Sequence, residues 1–226
     1  MVDQFLWVIF PYVCIATFIV GHIFRYRTDQ FGWTAKSSEF LEKKQLMIGS
    51  ILFHVGIIPV IAGHVGGLGV PKEWTRAMGV SDELYHMGAF WGGGFFGLVT
   101  LVGMFILTWR RFAITSVRKL SSTSDLIVNV MLLLIVFLGM YSVVETTVTN
   151  SDFDYRDSIS IWFRSLLVFR ADASFMSSVP LAFQLHILSG FLITAMWPFT
   201  RLVHVWSVPL NYVGRSYIIY RRHRSE

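Results

Sequence analysis

The stretch LMIGSILFHVGIIPVIAGHVGGLG (46–69) contains no Asp, Glu, Lys or Arg, yet carries two histidines, His54 and His64. About 20 mostly apolar residues suffice for a helix that crosses a membrane. Ionisable groups at that depth are costly and mark function by default. A second apolar segment, 180–200, brings His186 and, at its end, His204. Two histidines on each of two spanning segments are what two bis-histidine hemes would need.

Working outward, three more apolar segments lie at about 5–24, 87–109 and 125–148. Apolar residues make up 54% of the 226, and charged ones only 15%. Backbone groups in hydrocarbon must be satisfied within the segment, so helices are expected. The alternation at period two that a β-barrel requires is absent. The predicted fold is therefore all-α: an integral membrane bundle of five transmembrane helices, read as a single domain over 1–226.

Fourteen of the nineteen lysines and arginines fall in 25–45, 110–124 and the tail 201–226; Lys72, Arg76, Arg156, Arg164 and Arg170 lie opposite. The positive-inside rule then predicts the amino terminus outside and the carboxyl terminus cytoplasmic, in a cell membrane. The net charge of +5 reads as topology, with membrane lipid as partner and no nucleic acid. The first segment follows only MVDQ and lacks a signal-peptide leader. With one cysteine, Cys14, neither a disulfide framework nor an iron–sulfur centre is expected. Within the long outer connection 149–179, SISIWFRSLLVFR has apolar residues near helical spacing, which predicts a short interfacial helix.

Chain direction pairs the histidines. The second segment runs outward and the fifth inward, which places His64 with His186 on the outer side and His54 with His204 on the inner side. His186 and His204 are eighteen residues apart, about five full turns and about 27 Å, so both are expected on one face of the fifth helix. His54 and His64 would be only about 15 Å apart, a height mismatch that Pro59, Pro198 or helix tilt would have to absorb. Gly49, Gly56, Gly63, Gly66 and Gly67, with Gly88, Gly92, Gly93, Gly94, Gly97 and Gly103, suit either a flat cofactor or close helix packing. His22, His86 and His223 have no matched partner and read as structural. Arg110, Arg111 and Arg201 sit where inner-heme propionates would be met, or serve topology alone. Glu145 is a weaker candidate for a proton acceptor.

LFHVGIIPVIAGHVGG (52–67), LHILSGFLITAMWPFTRLVHVWSVPLNYVGRSY (185–217) and RYRTDQFGWTAKSSEFLEKK (25–44) resemble the gamma subunit of respiratory nitrate reductase, a diheme cytochrome b. That resemblance runs nearly the whole length. It implies heme b iron ligated by His64 and His186 outside and by His54 and His204 inside. A quinol substrate, menaquinol or ubiquinol, is implied beside the outer heme, where Gly63 gives a glycine-lined approach and Tyr85 or His86 can contribute. No lysine occurs in SDELYHMG (81–88), where some members carry one near that site. Electrons are then expected to pass to a cytoplasmic iron–sulfur beta subunit and on to a molybdenum-containing alpha subunit. The rival readings are a diheme anchor for another quinol-linked reductase and a heme-free membrane scaffold.

Overall fold

A computed structural model describes residues 1–29, 32–33, 38–148 and 153–207. Five helices are long and apolar enough to span a membrane. They are α1 (Val2–Thr28), α2 (Lys44–Gly69), α3 (Asp82–Ala113), α4 (Thr123–Val148) and α5 (Leu181–Met196), whose span runs on through a 3-10 turn to Phe199. No strand occurs among the described residues. The chain is a multi-pass, all-α membrane protein, and many large apolar side chains face outward along the spans, Ile58 and Phe95 among them.

Helix ends differ from the apolar windows for a local reason. α3 begins five residues before its apolar run, because Ser81 caps it by accepting from the Leu84 N–H at 3.2 Å and Asp82 and Glu83 occupy the positive first turn. At the other end of the chain the difference is larger. Pro198 has no N–H to continue the ladder, and α5 stops at Met196. Two 3-10 turns follow, Trp197–Phe199 and Arg201–Ser207, separated by an extended Thr200. His204 is therefore not on α5 at all, and the expectation that it shares a helical face with His186 is corrected.

The main packing runs α2 on α3, α3 on α4, α4 on α5 and α5 on α1. Glycines split into two groups. A Cβ on Gly103 would strike the backbone of Phe53 and Gly49, and one on Gly56 would strike Thr100. Those positions bring α2 and α3 into backbone contact, the usual small-residue device in membranes. A Cβ on Gly63, Gly66, Gly88, Gly92, Gly93, Gly94 or Gly190 would meet nothing within 4 Å.

At the end away from the basic connections, the segment after α4 folds over the bundle. Its helix Ile159–Leu167 buries Trp162 and Leu166 in a cluster with Trp7, Ala173, Met176 and Val179. The predicted helix is present, but its apolar face packs on protein rather than lipid. Pro11 cannot donate to the carbonyl four residues earlier; the Trp162 indole N–H donates to that Trp7 carbonyl instead, at 2.9 Å. Leaving it bare would cost about 1–3 kcal/mol.

Candidate functional site

The structure brings the histidines together in the two pairs that chain direction suggests. His64 and His186 have ring centroids 6.0 Å apart, and His54 and His204 6.4 Å. α2 and α5 are not principal neighbours in the packing, so His64 and His186 face each other across the space between them. The height mismatch also disappears. α5 supplies ten residues from His186 to its end at Met196, the same number as from His54 to His64 on α2. Both give about 15 Å of rise. Beyond Met196 the chain turns across the bundle's basic end and returns His204 to the level of His54.

Each of the four rings donates through Nδ1 to a backbone carbonyl. The acceptors are Ser50 for His54 at 2.7 Å, Val60 for His64 at 2.8 Å, Ile135 for His186 at 3.0 Å and Arg201 for His204 at 2.6 Å. A carbonyl only accepts, so Nδ1 carries the proton and the ring's lone pair is on Nε2. Such a carbonyl partner is the usual means of holding a metal-ligating imidazole. His22 differs: its Nδ1 donates to Phe18 O at 2.7 Å, but its Nε2 accepts from the Trp206 indole at 3.0 Å.

Among the described residues, no three or more His, Cys, Asp or Glu side chains converge on a metal position. A macrocycle that supplies four of its own nitrogens needs only two axial ligands. Metal–imidazole bonds of about 2 Å, plus about 1.2 Å from each nitrogen to its ring centre, would separate two axial rings by about 6.4 Å. Both pairs fit that spacing. Gly190 shares a face with His186 at i, i+4, and a Cβ there meets only open space. The residues present therefore fit a flat, axially held group at each pair.

Sequence reasoning missed one residue here. A Cβ on Gly139 of α4 would lie 3.0 Å from His186 Cε1. The absent side chain leaves room for the imidazole next to the Ile135 carbonyl one turn away. Only its place within a spanning helix hinted at a packing role.

Hydroxyls and charges cluster beyond the His64–His186 pair. Gly67, three residues beyond His64, lies under Tyr155, since a Cβ there would be 2.8 Å from the Tyr155 oxygen. That hydroxyl is 2.9 Å from the Tyr85 hydroxyl. Burial, then the Tyr85 contact, raises the Tyr155 pKa well above the ordinary phenol value. Arg156 is buried and stacks its guanidinium 3.8 Å from the Tyr85 ring centre. His86 contacts Asp154 at 3.3 Å. Lys72 donates to Asp154 and Asp157, each at 2.8 Å, and these bonds raise its pKa. Burial pushes the Asp154 carboxyl up, but bonds from Lys72 and the Arg156 N–H outweigh it and hold the pKa low. Glu145 is half-buried in the last turns of α4.

At the basic end Arg110 is committed to structure. It donates to Glu42 Oε2 at 2.7 Å, Ser38 Oγ at 3.0 Å and the Ser38 and Glu42 carbonyls. Its guanidinium pins the connection before α2 and is not aimed at a cofactor. Arg201 donates to Asp125 at 2.6 Å, and Arg111 to Ser121 at 2.9 Å. The rest of the tail, from residue 208, lies outside the described residues, as does His223.

Fold and site together define a multi-pass helical membrane protein with two pairs of facing histidines, three of the four on its spans. The chain belongs to the nitrate reductase gamma subunit family, whose model matches residues 3–223, and so to the membrane-anchoring subunits of that enzyme. It is 49% identical to the nitrate reductase gamma chain of Bacillus subtilis (strain 168), over 98% of this chain and 99% of that one. It is 37% identical to the respiratory nitrate reductase 2 gamma chain of Escherichia coli (strain K12), over 98% of each. The nitrate reductase-like protein NarX of Mycobacterium tuberculosis (strain ATCC 25618 / H37Rv) is 39% identical over 98% of this chain, a match covering 34% of its own length.

Proposed function

We propose that this chain oxidises quinol at the outer side of the membrane and passes the electrons through two b hemes to the cytoplasmic side. There an iron–sulfur beta subunit would receive them and a molybdenum-containing alpha subunit would reduce nitrate. The observation that carries this reading is the spacing of the two histidine pairs, 6.0 and 6.4 Å, in a chain of the nitrate reductase gamma family. His64 and His186 would hold the outer heme, and His54 and His204 the inner one. When bound, a heme supplies one-electron transfer at a potential set by its axial ligands, their hydrogen bonds and burial.

The chain's own residues supply the rest. Four carbonyl-bonded Nδ1 atoms hold the rings in one tautomer, so that little reorganisation accompanies a change of charge at the metal. Quinol loses two protons with its two electrons. On the outer side Gly63 offers an open approach next to His64, the Tyr85–Tyr155 pair offers hydroxyls near Gly67, and His86 with Asp154 leads toward water. Protons released there stay outside while electrons cross inward, against about 2.3 kcal/mol per charge per 100 mV. The only cysteine, Cys14, is buried, so an iron–sulfur acceptor must be a partner's. The basic connections supply the face for that partner, in agreement with the positive-inside orientation.

A reduced-minus-oxidised spectrum of membranes, with heme counted per chain, tests the proposal. Two b-type components are expected, and His64→Ala or His186→Ala should remove one while His54→Ala or His204→Ala removes the other. One heme per chain, or loss of different components from His64→Ala and His186→Ala, would overturn it.

A further inference from the structure

The inner pair differs from the outer one in that His204 stands on a 3-10 turn after a broken helix, so something else must hold it. Three residues in the last two turns of α1 do so. Gly21 takes the Pro198 ring against its backbone, where a Cβ would lie 2.6 Å from Pro198 Cγ. Arg25 donates from one Nη1 to the carbonyls of Pro198 at 2.7 Å and Thr200 at 2.9 Å, the two residues at the break. The His22 Nε2 accepts from Trp206 Nε1 at 3.0 Å, two residues beyond His204. Grips therefore fall on both sides of His204 in the chain, and both come from α1. On the opposite side the turn is seated by Arg201 on Asp125 and by buried Leu202 against Val128 of α4.

Carbonyls freed by a helix break must find donors when buried, and a charged guanidinium is a strong one. Arg25 satisfies the carbonyls that the break exposes and so stabilises the bent course over a continued helix. His22 is committed at both nitrogens, which removes it as a ligand and makes it a fixed acceptor. We infer that the inner end of α1, through Gly21, His22 and Arg25, is the positioning element that presents His204 to His54. This inference rests on the proposed ligation of the inner heme by that pair. The outer pair has no such dependence, since His64 and His186 both stand within α-helices.

The test is a redox titration with optical and low-temperature EPR detection, together with hydrogen exchange of Trp197–Ser207. It uses the whole complex in membranes. Arg25→Gln should shift or lose the component that His204→Ala removes and leave the component that His186→Ala removes unchanged. Exchange of the turn should quicken. His22→Leu should act in the same direction, whereas His22→Gln, which keeps an acceptor for Trp206, should restore the signal. Retention of the outer component in each variant shows that the chain has folded. If Arg25→Gln prevents accumulation, the His22→Leu and His22→Gln pair decides. Unaltered midpoint, line shape and exchange in the accumulating variants, or equal disturbance of both components, would overturn the inference. Absence of b-type bands in the parent protein would instead overturn the proposed function.

Discussion

The two ends of the bundle hold their histidines by different physical means. At the outer end His64 and His186 stand on uninterrupted α-helices, and the connection above them forms the largest apolar cluster, built on Trp7, Trp162 and Met176. At the inner end His54 stands on a helix, but His204 stands on a 3-10 turn. Its support is largely polar: Arg25 on two carbonyls, Trp206 on His22 and Arg201 on Asp125. Apolar burial tolerates small displacements, whereas hydrogen bonds are directional and fail over a few tenths of an ångström. The outer ligand geometry should therefore depend on packing volume, and the inner geometry on particular donors.

The strongest way to break the comparison is at the rings. His186→Ala or His64→Ala should abolish quinol-driven electron entry, while His204→Ala or His54→Ala should leave entry intact and stop delivery inward. Flash or stopped-flow reduction of the remaining b-type component separates these outcomes. Next in size is Gly139→Val. Its side chain would occupy the space of the His186 imidazole and should remove or shift the outer component alone. An unchanged outer spectrum would show that α4 does not confine that ring.

A smaller effect is expected from Trp162→Phe, which keeps most of the packing volume but deprives the Trp7 carbonyl of its donor. A loss of about 1–3 kcal/mol, read as a lower Tm in detergent with the inner component unaffected, is expected. The smallest is a pH effect on the outer connection, where Lys72 meets Asp154 and Asp157 beside Asp82, His86 and Arg156. Asp154 has a lowered pKa when folded, so its contribution is present above the unfolded value of about 4 and is lost as pH falls through the folded value. Lys72 has a raised pKa, so its contribution is present below about 10.4 and is lost as pH rises through the folded value. The protection of amides at 153–157, exchange corrected for the intrinsic pH dependence, should thus hold near neutral pH and fall below about pH 4.

The five spans were legible because hydropathy over about 20 residues is a local property that bilayer thickness turns into a helix. Their ends were not, because caps such as Ser81 and first-turn acids such as Asp82 lie outside any apolar window. Which histidines meet also followed from the sequence, since antiparallel direction admits one natural arrangement. Misread was the course from His186 to His204. Counting turns assumed a continuous helix, and Pro198 was weighed only as a kink. The glycines were similarly ambiguous: nothing local separates Gly103, pressed on α2, from Gly93, which faces open space.

Composition, span length, charge asymmetry and histidine placement were thus determined by the sequence, because each depends on residue type and position along one chain. Which carbonyl receives each imidazole, which glycine makes room for His186, and how a broken helix returns His204 to His54 were decided by the tertiary structure. These depend on groups such as Arg25 and Thr200, 175 residues apart, whose meeting no local pattern encodes.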